Sequence, residues 1–502
     1  MIVTQLQAVL GAELRETHIS WVLLAGDRAY KLKKPLRLPF LDYGTLERRR
    51  ALCHEEVRLN RRLAPALYVG VRAVVLEDGS VRLGREDEPG AVEYAVEMRR
   101  YDEDATLARR LRGGTAGEGD VREIGRRLAA FHAEAAVPAD PEATVAGLAA
   151  MLRENFATLR TLVPDRSAEI DDAAGLATAV QEGRRGELVQ RARCGRVRDG
   201  HGDLRAEHVV LERGIEIVDC VEFDPALREQ DVGLDLAFLA MDLARVDERL
   251  ARVLVDAYRA AGGDPGDDSL VAFFAAQRAL IRAKVALVRA GQVEGPDAAR
   301  RRADADALLA LAGRLGWAVR LGPLAVVCGP AASGKSTLAE ALAKRSGAAI
   351  VSSDLVRKAL LGVAPTARAP LAAYGADVNR RTYAALGRRA AELLDSGDHV
   401  IVDATFRFAA DRREFAHALG HMADEPVWVE CRAPAAVLAR RAAERVRDPS
   451  RVSDADAGVA ARQAGEWEPL ETANHVVAAT DRPPAAVVAA VAAGLDRRLR
   501  RA

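Results

Sequence analysis

The chain has 502 residues, of which 73 are basic and 73 acidic, and 49% of its residues are hydrophobic. This balance excludes a disordered or collagen-like chain and argues against broad electrostatic binding to nucleic acid or to an anionic membrane. No apolar run reaches membrane-spanning length, and the N-terminus lacks the basic-then-apolar pattern of a secretion signal. We therefore expect a cytoplasmic protein of two or three globular domains.

Residues 1–98 are predicted to form a small sheet that carries one long helix. The pattern of 1–16 is helical, and Ala25-Gly26-Asp27 predicts a hairpin turn between two strands. The predicted elements that follow are a helix over 45–63 and strands over 19–24, 28–33, 69–76, 81–83 and 91–98.

Lysine is rare in this chain, and Lys31 and Lys33 both lie in one predicted strand. In so arginine-rich a chain, a retained lysine indicates that a compact ammonium group is needed. The two lysines share one face of the strand, and Glu55 and Glu56 lie on the helix that follows. Lys31 and Glu56 are the preferred functional pair, with Lys33 and Glu55 as the alternatives.

After residue 98 the pattern is helical, except for two short predicted strands over 208–211 and 215–220. The motif HGDLRAEH at 201–208 precedes the first strand, and Asp219 ends the second. A carboxylate, a metal ligand five residues later and a carboxylate at the next strand end form the spacing of the catalytic and magnesium loops in protein-kinase-like enzymes. This spacing predicts that Asp203 takes the proton of an acceptor hydroxyl, and that His208 and Asp219 hold Mg²⁺ on ATP.

On these residues, the stretch 1–315 resembles the aminoglycoside-phosphotransferase family, which is similar to choline and fructosamine kinases. The resemblance implies a protein-kinase-like fold with a small lobe over 1–98 and a helical lobe over 99–315. It also implies that Lys31, paired with Glu56, grips the α- and β-phosphates of ATP.

Three features depart from that family's pattern. His208 stands where the family has asparagine, and imidazole is a poor partner for the hard Mg²⁺ ion. Glu222 or two waters are the alternative ligands. Arg205 stands where the family often has histidine, and no glycine-rich loop precedes Lys31. These departures leave open a degenerate, regulatory N-terminal half.

From residue 324 onward, short apolar strands alternate with helices, and glycines between 313 and 322 mark a boundary before them. This rhythm predicts a parallel sheet with helices on both faces. The sequence thus predicts two domains, 1–315 and 322–502. The predicted strands of the second domain are 324–328, 348–352, 399–403, 427–430 and 475–479.

Residues 329–336, GPAASGKS, fit the phosphate-loop pattern GxxxxGK[ST] in full and lie between an apolar strand and a helix. Backbone N–H groups of such a loop, at a helix N-terminus, hold phosphate oxygens. Lys335 would neutralise phosphate charge, and Ser336 and Asp403 would bind Mg²⁺. The predicted nucleotide-binding residues are Gly329, Ser333, Gly334, Lys335, Ser336 and Thr337.

Two further features point to a kinase rather than a general ATPase. Asp354 follows a strand end and can take a proton from a hydroxyl, and Arg357, one helical turn later, can hold an anionic group. Arg441 and Arg445 share one face of a helix and can close over the phosphates. The alternatives are a helix cap at Asp354 and ordinary solvated arginines.

On these residues, the stretch 322–502 resembles small P-loop kinases of the zeta-toxin, polynucleotide 5′-kinase and gluconate-kinase-like group. The resemblance implies that Asp354 is the general base, that Arg357 is a substrate clamp and that Arg441 or Arg445 is the cation of a lid. Acceptors differ widely in this group, so the acceptor does not follow from the resemblance.

The sequence therefore predicts a two-module, ATP- and Mg²⁺-dependent kinase that phosphorylates a hydroxyl of a small molecule such as a sugar, amino sugar or antibiotic. One alternative is a regulatory protein with a degenerate N-terminal sensor and an ATP-hydrolysing C-terminal half. Another is a 5′-hydroxyl kinase of nucleic acids or nucleotides; the neutral net charge disfavours it, whereas Arg357, Lys358, Arg380 and Arg381 favour it.

Overall fold

The computed structural model describes residues 2–38, 41–367, 369–420, 425–445, 463 and 465–501. The chain divides into two compact units, and each is discontinuous in sequence. The first unit comprises 1–150 and 187–267, and the second comprises 151–186 and 268–502. Residues 268–315 thus group with the C-terminal sheet, and the limits 1–315 and 322–502 stay a prediction. No helix in the described ranges is both long and apolar enough to cross a membrane.

The first unit is built on a six-stranded antiparallel sheet with the strand order β1-β2-β3-β8-β6-β7. A separate two-stranded hairpin, β4–β5, follows β3. The strands are β1 (Glu13–Glu16), β2 (Ser20–Ala25), β3 (Arg28–Lys33), β4 (Arg37–Leu38), β5 (Leu41–Asp42), β6 (Tyr68–Glu77), β7 (Ser80–Leu83) and β8 (Ala91–Arg99).

Helices cover both faces of this sheet, and β3 shows why. Its side chains alternate between the faces: Leu32 packs in a core with Val3 and Leu6 of the helix Ile2–Leu10. Lys31 and Lys33 therefore point to the other face, which the helix Leu46–Asn60 covers with Cys53 and Val57. The sheet thus directs two lysines toward a helix that carries glutamates.

The rest of the first unit is helical, with four short strands: β9 (Val197–Asp199), β10 (Val209–Val210), β11 (Glu216–Ile217) and β12 (Glu229–Asp231). The antiparallel pair β10–β11 follows the 201–208 motif. The helix Val232–Ala244 is buried over nearly its whole length. The other helices are Leu107–Arg112, Glu118–Glu134, Arg185–Arg193 and Glu248–Ala260, and the helix Ala143–Leu162 continues into the second unit.

The second unit contains a five-stranded parallel sheet with the order β14-β15-β13-β16-β17. The central strand, β13, has the sequence LAVVC and is buried throughout, as expected for a strand covered on both faces. The strands are β13 (Leu324–Cys328), β14 (Ala349–Ser352), β15 (Val400–Asp403), β16 (Val427–Arg432) and β17 (His475–Ala479).

Two apolar cores lie on the two faces of this sheet. One core contains residues of Lys335–Ser346 and Pro484–Leu499, and the other contains residues of Ala376–Asp395 and Ala409–Leu419. Other helices in the described part of the unit are Ser167–Gly183, Asp268–Ala290, Gly295–Leu321, Ser353–Leu360 and Ala435–Arg445. The predicted fold class, a kinase-like mixed domain followed by a parallel P-loop sheet, is confirmed.

The helical prediction for residues 1–16 is wrong beyond Leu10. Gly11 has φ of +55°, in the left-handed region where glycine commonly ends a helix. The chain then enters β1, whose residues pair in register with β2 from Glu13 opposite Leu24 to Glu16 opposite Trp21. Pairing with a neighbouring strand thus outweighs the local helical pattern of these four residues.

Candidate active sites

Strand β3 and the helix Leu46–Asn60 bring two lysines onto one glutamate. Lys31 Nζ lies 2.8 Å from Glu56 Oε1, and Lys33 Nζ lies 2.6 Å from Glu56 Oε2. Lys33 and Glu56 are fully buried. Lys31 and Glu56 thus meet, and Lys33 joins them instead of replacing Lys31. The alternative residue, Glu55, contacts arginines, with 2.7 Å to Arg58 and 3.2 Å to Arg228.

Asp219 lies next to Lys31. Its Oδ1 accepts a hydrogen bond from Lys31 Nζ over 2.7 Å, and its backbone N–H donates to Tyr68 Oη over 3.3 Å. The φ of +67° places Asp219 in the left-handed region, which costs a non-glycine residue on the order of 1–3 kcal/mol. The Lys31 ammonium holds the pKa of the Asp219 carboxyl well below its usual range. The carboxylate is therefore charged at neutral pH and can bind a cation.

The 201–208 loop brings Asp203 and His208 to Asp219. One ligand atom from each of the three residues lies within 4.8 Å of the other two. His208 Nδ1 is 3.7 Å from Asp203 Oδ2, and His208 Nε2 is 3.7 Å from Asp219 Oδ2. The predicted base and the two predicted metal ligands therefore converge on one point, while their chemical roles stay predictions.

Glu222, the alternative metal ligand, is engaged elsewhere. Its Oε1 accepts from Tyr43 Oη over 2.5 Å and also contacts Lys33 Nζ. The side chain is buried with these two partners. Glu222 therefore anchors the chain after Asp219 to strand β3, and the described metal-ligand group does not include it.

Arg205 lies between the predicted base and the histidine. Its Nε is 3.1 Å from Asp203 Oδ2, and its Nη2 is 2.8 Å from His208 Nε2. The guanidinium also contacts Glu207. Burial opposes the charge on Arg205, but Asp203 and Glu207 outweigh burial and raise its pKa. A permanent positive charge therefore accompanies the carboxylate that was predicted to accept a proton.

Asp235 anchors the 201–208 loop, a role that the sequence did not predict for it. Asp235 accepts from the backbone N–H groups of His201 (2.7 Å) and Gly202 (2.9 Å). His132 Nε2 lies 3.1 Å from it. Burial acts to raise the pKa of Asp235, but these donors outweigh burial and lower it. An aspartate inside an otherwise apolar helical run was the available signal.

The N-terminal group of Asp203, His208 and Asp219 offers two carboxylates and one imidazole as ligands. Mg²⁺ takes oxygen ligands in near-octahedral geometry, whereas imidazole suits transition-metal ions. His208 supplies a nitrogen, and Glu222, which would supply oxygen, is paired with Lys33. The residues present at this group therefore do not fit the Mg²⁺ ion that the sequence predicts for it.

The phosphate-loop motif lies between the central strand β13 and the helix Lys335–Ser346. Gly329 and Gly334 have φ of +139° and +90°, which are open only to glycine without strain. A Cβ on Gly329 would lie 2.5 Å from the backbone oxygen of Cys431, so no larger residue fits there. Lys335 Nζ donates to Pro330 O over 3.0 Å, across the loop. The motif thus has the strand–loop–helix context that its sequence predicts.

Ser336 and Asp403 meet at the ends of their elements. Ser336 Oγ donates to Asp403 Oδ2 over 2.6 Å, and Asp403 closes β15, the strand next to β13. Both groups offer oxygen ligands to a cation. This donor set fits Mg²⁺, and these two side chains would hold the ion.

A cavity of about 390 Å³ adjoins the loop. Arg441 Nη2 donates to Thr480 O over 2.6 Å at its edge, and Thr480 Oγ1 donates to Ser333 O over 2.5 Å. Arg441 Nη1 and Ser333 Oγ are buried and have no hydrogen-bond partner among the described residues. The cavity is lined by Gly334, Thr337, Leu338, Ala341, Arg441, Glu444, Thr480, Arg482, Pro484, Val487 and Val488.

The remaining predicted residues of this half are more scattered. Asp354 lies in the first turn of the helix Ser353–Leu360. Arg357 is buried, and its Nη1 donates to Ala373 O (2.8 Å) and Asn379 Oδ1 (2.7 Å), so it braces neighbouring chain segments. The side chain of Arg445 lies outside the described residues. The clamp role of Arg357 stays a prediction.

Gln463 is a partner of the phosphate loop that the sequence did not predict. The backbone N–H of Ala331 donates to Gln463 Oε1 over 2.8 Å, so a side chain from far along the sequence meets one of the N–H groups expected to face phosphate. No local pattern around 463 indicates this contact.

Comparison with known proteins gives three kinds of match. An AAA domain family model matches residues 324–470. An uncharacterised protein of Mycobacterium tuberculosis is 35% identical over 470 residues, which is 91% of this chain and 91% of that protein. An uncharacterised protein of Mycobacterium bovis matches with the same identity and coverage. The similarity to these relatives therefore spans both units.

Solved structures cover parts of the chain. A gluconokinase from Sinorhizobium meliloti is 24% identical, with a TM-score of 0.27, over 35% of this chain and 93% of that chain. A choline/ethanolamine kinase family protein from Mesorhizobium loti is 14% identical, with a TM-score of 0.35, over 62% of this chain and 99% of that chain.

Proposed function

The chain belongs to the same family as the mycobacterial relatives, and we propose that it is an ATP-dependent kinase with two nucleotide sites. The proposed reaction passes the γ-phosphoryl group of ATP to a hydroxyl of a small molecule. The acceptor oxygen forms a bond to the γ-phosphorus, the bond from that phosphorus to the β,γ-bridging oxygen breaks, and the hydroxyl proton passes to a carboxylate.

The observation that carries the proposal is the contact between Ser336 and Asp403 beside the glycine loop. Two oxygen donors for Mg²⁺ lie 2.6 Å apart, next to the loop that presents Lys335. Arg441 Nη1 at the adjoining cavity and the buried Ser333 Oγ of the loop have no hydrogen-bond partner in the described part of the chain, and both offer donors to an anionic nucleotide. Catalysis of phosphoryl transfer rests mostly on positioning and charge neutralisation, which these groups supply.

At the second unit we assign Asp354 as the proton acceptor, because it follows the strand next to β15. The apolar side chains of the cavity, including Leu338 and Val487, would receive the base of ATP. Arg441 would contact its phosphates.

At the first unit, Lys31 would hold the phosphates while Glu56 orients it, and Asp203 would take the proton. No step at this unit is assigned to Mg²⁺, because the donor set does not fit that ion. A regulatory role for the N-terminal half is the second candidate. It is favoured by the 3.1 Å contact between Arg205 Nε and Asp203 Oδ2, because this contact occupies the carboxylate that would have to take the proton.

The decisive experiment measures ATP consumption over a panel of sugars, amino sugars, antibiotics and 5′-hydroxyl oligonucleotides. Wild type is compared with Asp203→Asn, Asp354→Asn and the exposed control Asp398→Asn. If only Asp203→Asn or only Asp354→Asn loses acceptor-dependent ATP consumption, transfer is assigned to the unit that carries that substitution. Loss in Asp203→Asn alone excludes a purely regulatory N-terminal half. Transfer that survives both substitutions at the wild-type rate would refute the proposal.

A further inference from the structure

The His208 side chain at the N-terminal group has a defined tautomer. Its Nδ1 lies 2.8 Å from the carbonyl oxygen of Asp203, and a carbonyl can only accept, so Nδ1 carries the hydrogen. Its Nε2 lies 2.8 Å from Arg205 Nη2, and a guanidinium can only donate, so Nε2 carries the lone pair. His208 is buried, which fixes this arrangement.

This arrangement is the one that histidine adopts when it binds a metal ion. A metal-binding imidazole usually donates its other ring N–H to a carbonyl or carboxylate, which fixes the ring and raises its basicity. Here Nε2, which carries the lone pair, lies 3.7 Å from Asp219 Oδ2. Asp203 adds a third ligand atom, and all three lie within 4.8 Å of one another. Ligands of one ion at about 2.1 Å each lie roughly 3–4 Å apart, so small side-chain adjustments suffice.

We propose that Asp203, His208 and Asp219 form a site for a divalent transition-metal ion such as Mn²⁺ and bind it in preference to Mg²⁺. The chemical reason is the imidazole ligand, since Mn²⁺, like the later divalent ions, accepts a nitrogen donor more readily than Mg²⁺, which favours oxygen. Two carboxylates supply the negative charge, and the 47% exposure of Asp219 leaves the remaining coordination positions open to water or to phosphate oxygens.

Arg205 competes with this ion for the same ligands. Its guanidinium contacts Asp203 Oδ2 and the lone pair on His208 Nε2, which are two of the groups that the metal needs. Metal binding therefore requires the arginine to move away, and its positive charge opposes a nearby cation. Two substitutions at this site should therefore change its metal affinity in opposite directions. Removal of His208 weakens metal binding, and removal of Arg205 strengthens it.

The test is titration of the full chain with Mn²⁺ alone, followed by the loss of the free-ion electron paramagnetic resonance signal, and then competition with Mg²⁺. All proteins carry Asp403→Asn and Ser336→Ala to remove the oxygen site of the second unit. We expect Mn²⁺ to bind at least ten times more tightly than Mg²⁺. His208→Gln, whose amide group reaches the position of Nε2, should reduce this ratio at least tenfold, and Arg205→Met should tighten Mn²⁺ binding.

The outcomes separate clearly. An unchanged Mn²⁺/Mg²⁺ ratio in His208→Gln would overturn the site, and so would Mn²⁺ binding that survives Asp219→Asn. Circular dichroism of each variant shows whether the fold is retained, and the His208→Gln and Asp219→Asn variants keep the test open where Arg205→Met unfolds. The inference rests on the proposed function only for the nucleotide that would share the ion. If the wild type transfers phosphate to no acceptor of the panel but the Mn²⁺ preference is present, the kinase proposal alone is refuted. If the wild type transfers phosphate but the Mn²⁺ preference is absent, the metal site alone is refuted.

Discussion

Lys33 Nζ lies 2.6 Å from Glu56 Oε2, and neither side chain is exposed to solvent. Lys31 occupies the other oxygen of the same carboxylate at 2.8 Å. Both oxygens of Glu56 are thus paired with a lysine. The Lys31 side chain keeps 14% exposure, whereas Lys33 is fully buried. This relationship separates a stabilising lysine from a ligand-binding one and leads to the first prediction.

Lys33→Met is expected to destabilise the first unit by about 3–5 kcal/mol, because it leaves the buried carboxylate of Glu222 without its lysine counter-ion and Glu56 with Lys31 alone. The matched variant Lys31→Met removes the lysine that retains exposure, so it should lower stability less and weaken nucleotide binding to the first unit more. Calorimetric unfolding and ADP titration in a Lys335→Ala background measure the two effects. Equal losses of stability in both variants would contradict the division of roles.

Local sequence patterns predicted much of what the two candidate sites bring together. The phosphate loop is a continuous motif, and Asp203, His208 and Asp219 lie within one short stretch, so their spacing could be interpreted along the chain. The contact between Lys33 and Glu222 joins residues 189 positions apart and depends on how β3 meets the chain after Asp219. No local pattern contains that information.

The same limit applies to fold elements and to supporting residues. Strand β1 forms because it pairs with β2, although its own pattern continues that of a helix. Asp235 supports the 201–208 loop because the helix Val232–Ala244 packs beneath that loop, a tertiary relationship. The buried position of Arg357 similarly depends on Ala373 and Asn379, which lie on the next elements.

Lys335→Ala should abolish phosphoryl transfer by the second unit, with at least a hundredfold loss of turnover, because no other described lysine lies in the phosphate loop. The control is Lys344→Ala, an exposed lysine on the same helix, Lys335–Ser346. The assay measures ADP release in an Asp203→Asn background, which silences the first unit. Full activity of Lys335→Ala with an acceptor that Asp354→Asn no longer phosphorylates would contradict the assignment of this loop.

Arg320 joins two carboxylates within the second unit. Its Nε lies 2.8 Å from Asp496 Oδ1 and its Nη1 lies 2.8 Å from Asp172 Oδ2, with only 1% of the side chain exposed. Arg320→Met should lower the free energy of unfolding of the second unit by about 3–5 kcal/mol, because Asp496 is left buried without its arginine partner. The control is Arg300→Met, an exposed arginine on the same helix, Gly295–Leu321.

Thermal unfolding of the full chain measures this difference. The transition that shifts in Arg320→Met should be the one that the double variant Asp172→Asn/Asp496→Asn shifts as well, since both interrupt one network. If Arg320→Met lowers thermal stability no more than Arg300→Met does, the network of Arg320, Asp172 and Asp496 adds nothing to stability.

The His201 ring predicts a pH dependence of the 201–208 loop. Burial lowers the pKa of His201 from 6.5 to about 4. Its Nε2 is 3.0 Å from Val218 O and therefore carries the hydrogen, so its Nδ1 can accept the backbone N–H of Asp203 over 3.3 Å. Protonation of Nδ1 would remove that acceptor and release the backbone of Asp203.

The folded pKa is lower than the unfolded one, so between pH 6.5 and 4 the unfolded chain binds a proton that the folded chain does not. Stability should therefore fall as the pH falls through this window, by on the order of 3 kcal/mol in total, and the contribution should level off below pH 4. His201→Gln removes the titrating group and should flatten this slope, whereas the exposed control His18→Gln should keep it. Urea unfolding at half-unit pH intervals measures the slopes, and equal slopes in wild type and His201→Gln would show that this ring is not the group responsible.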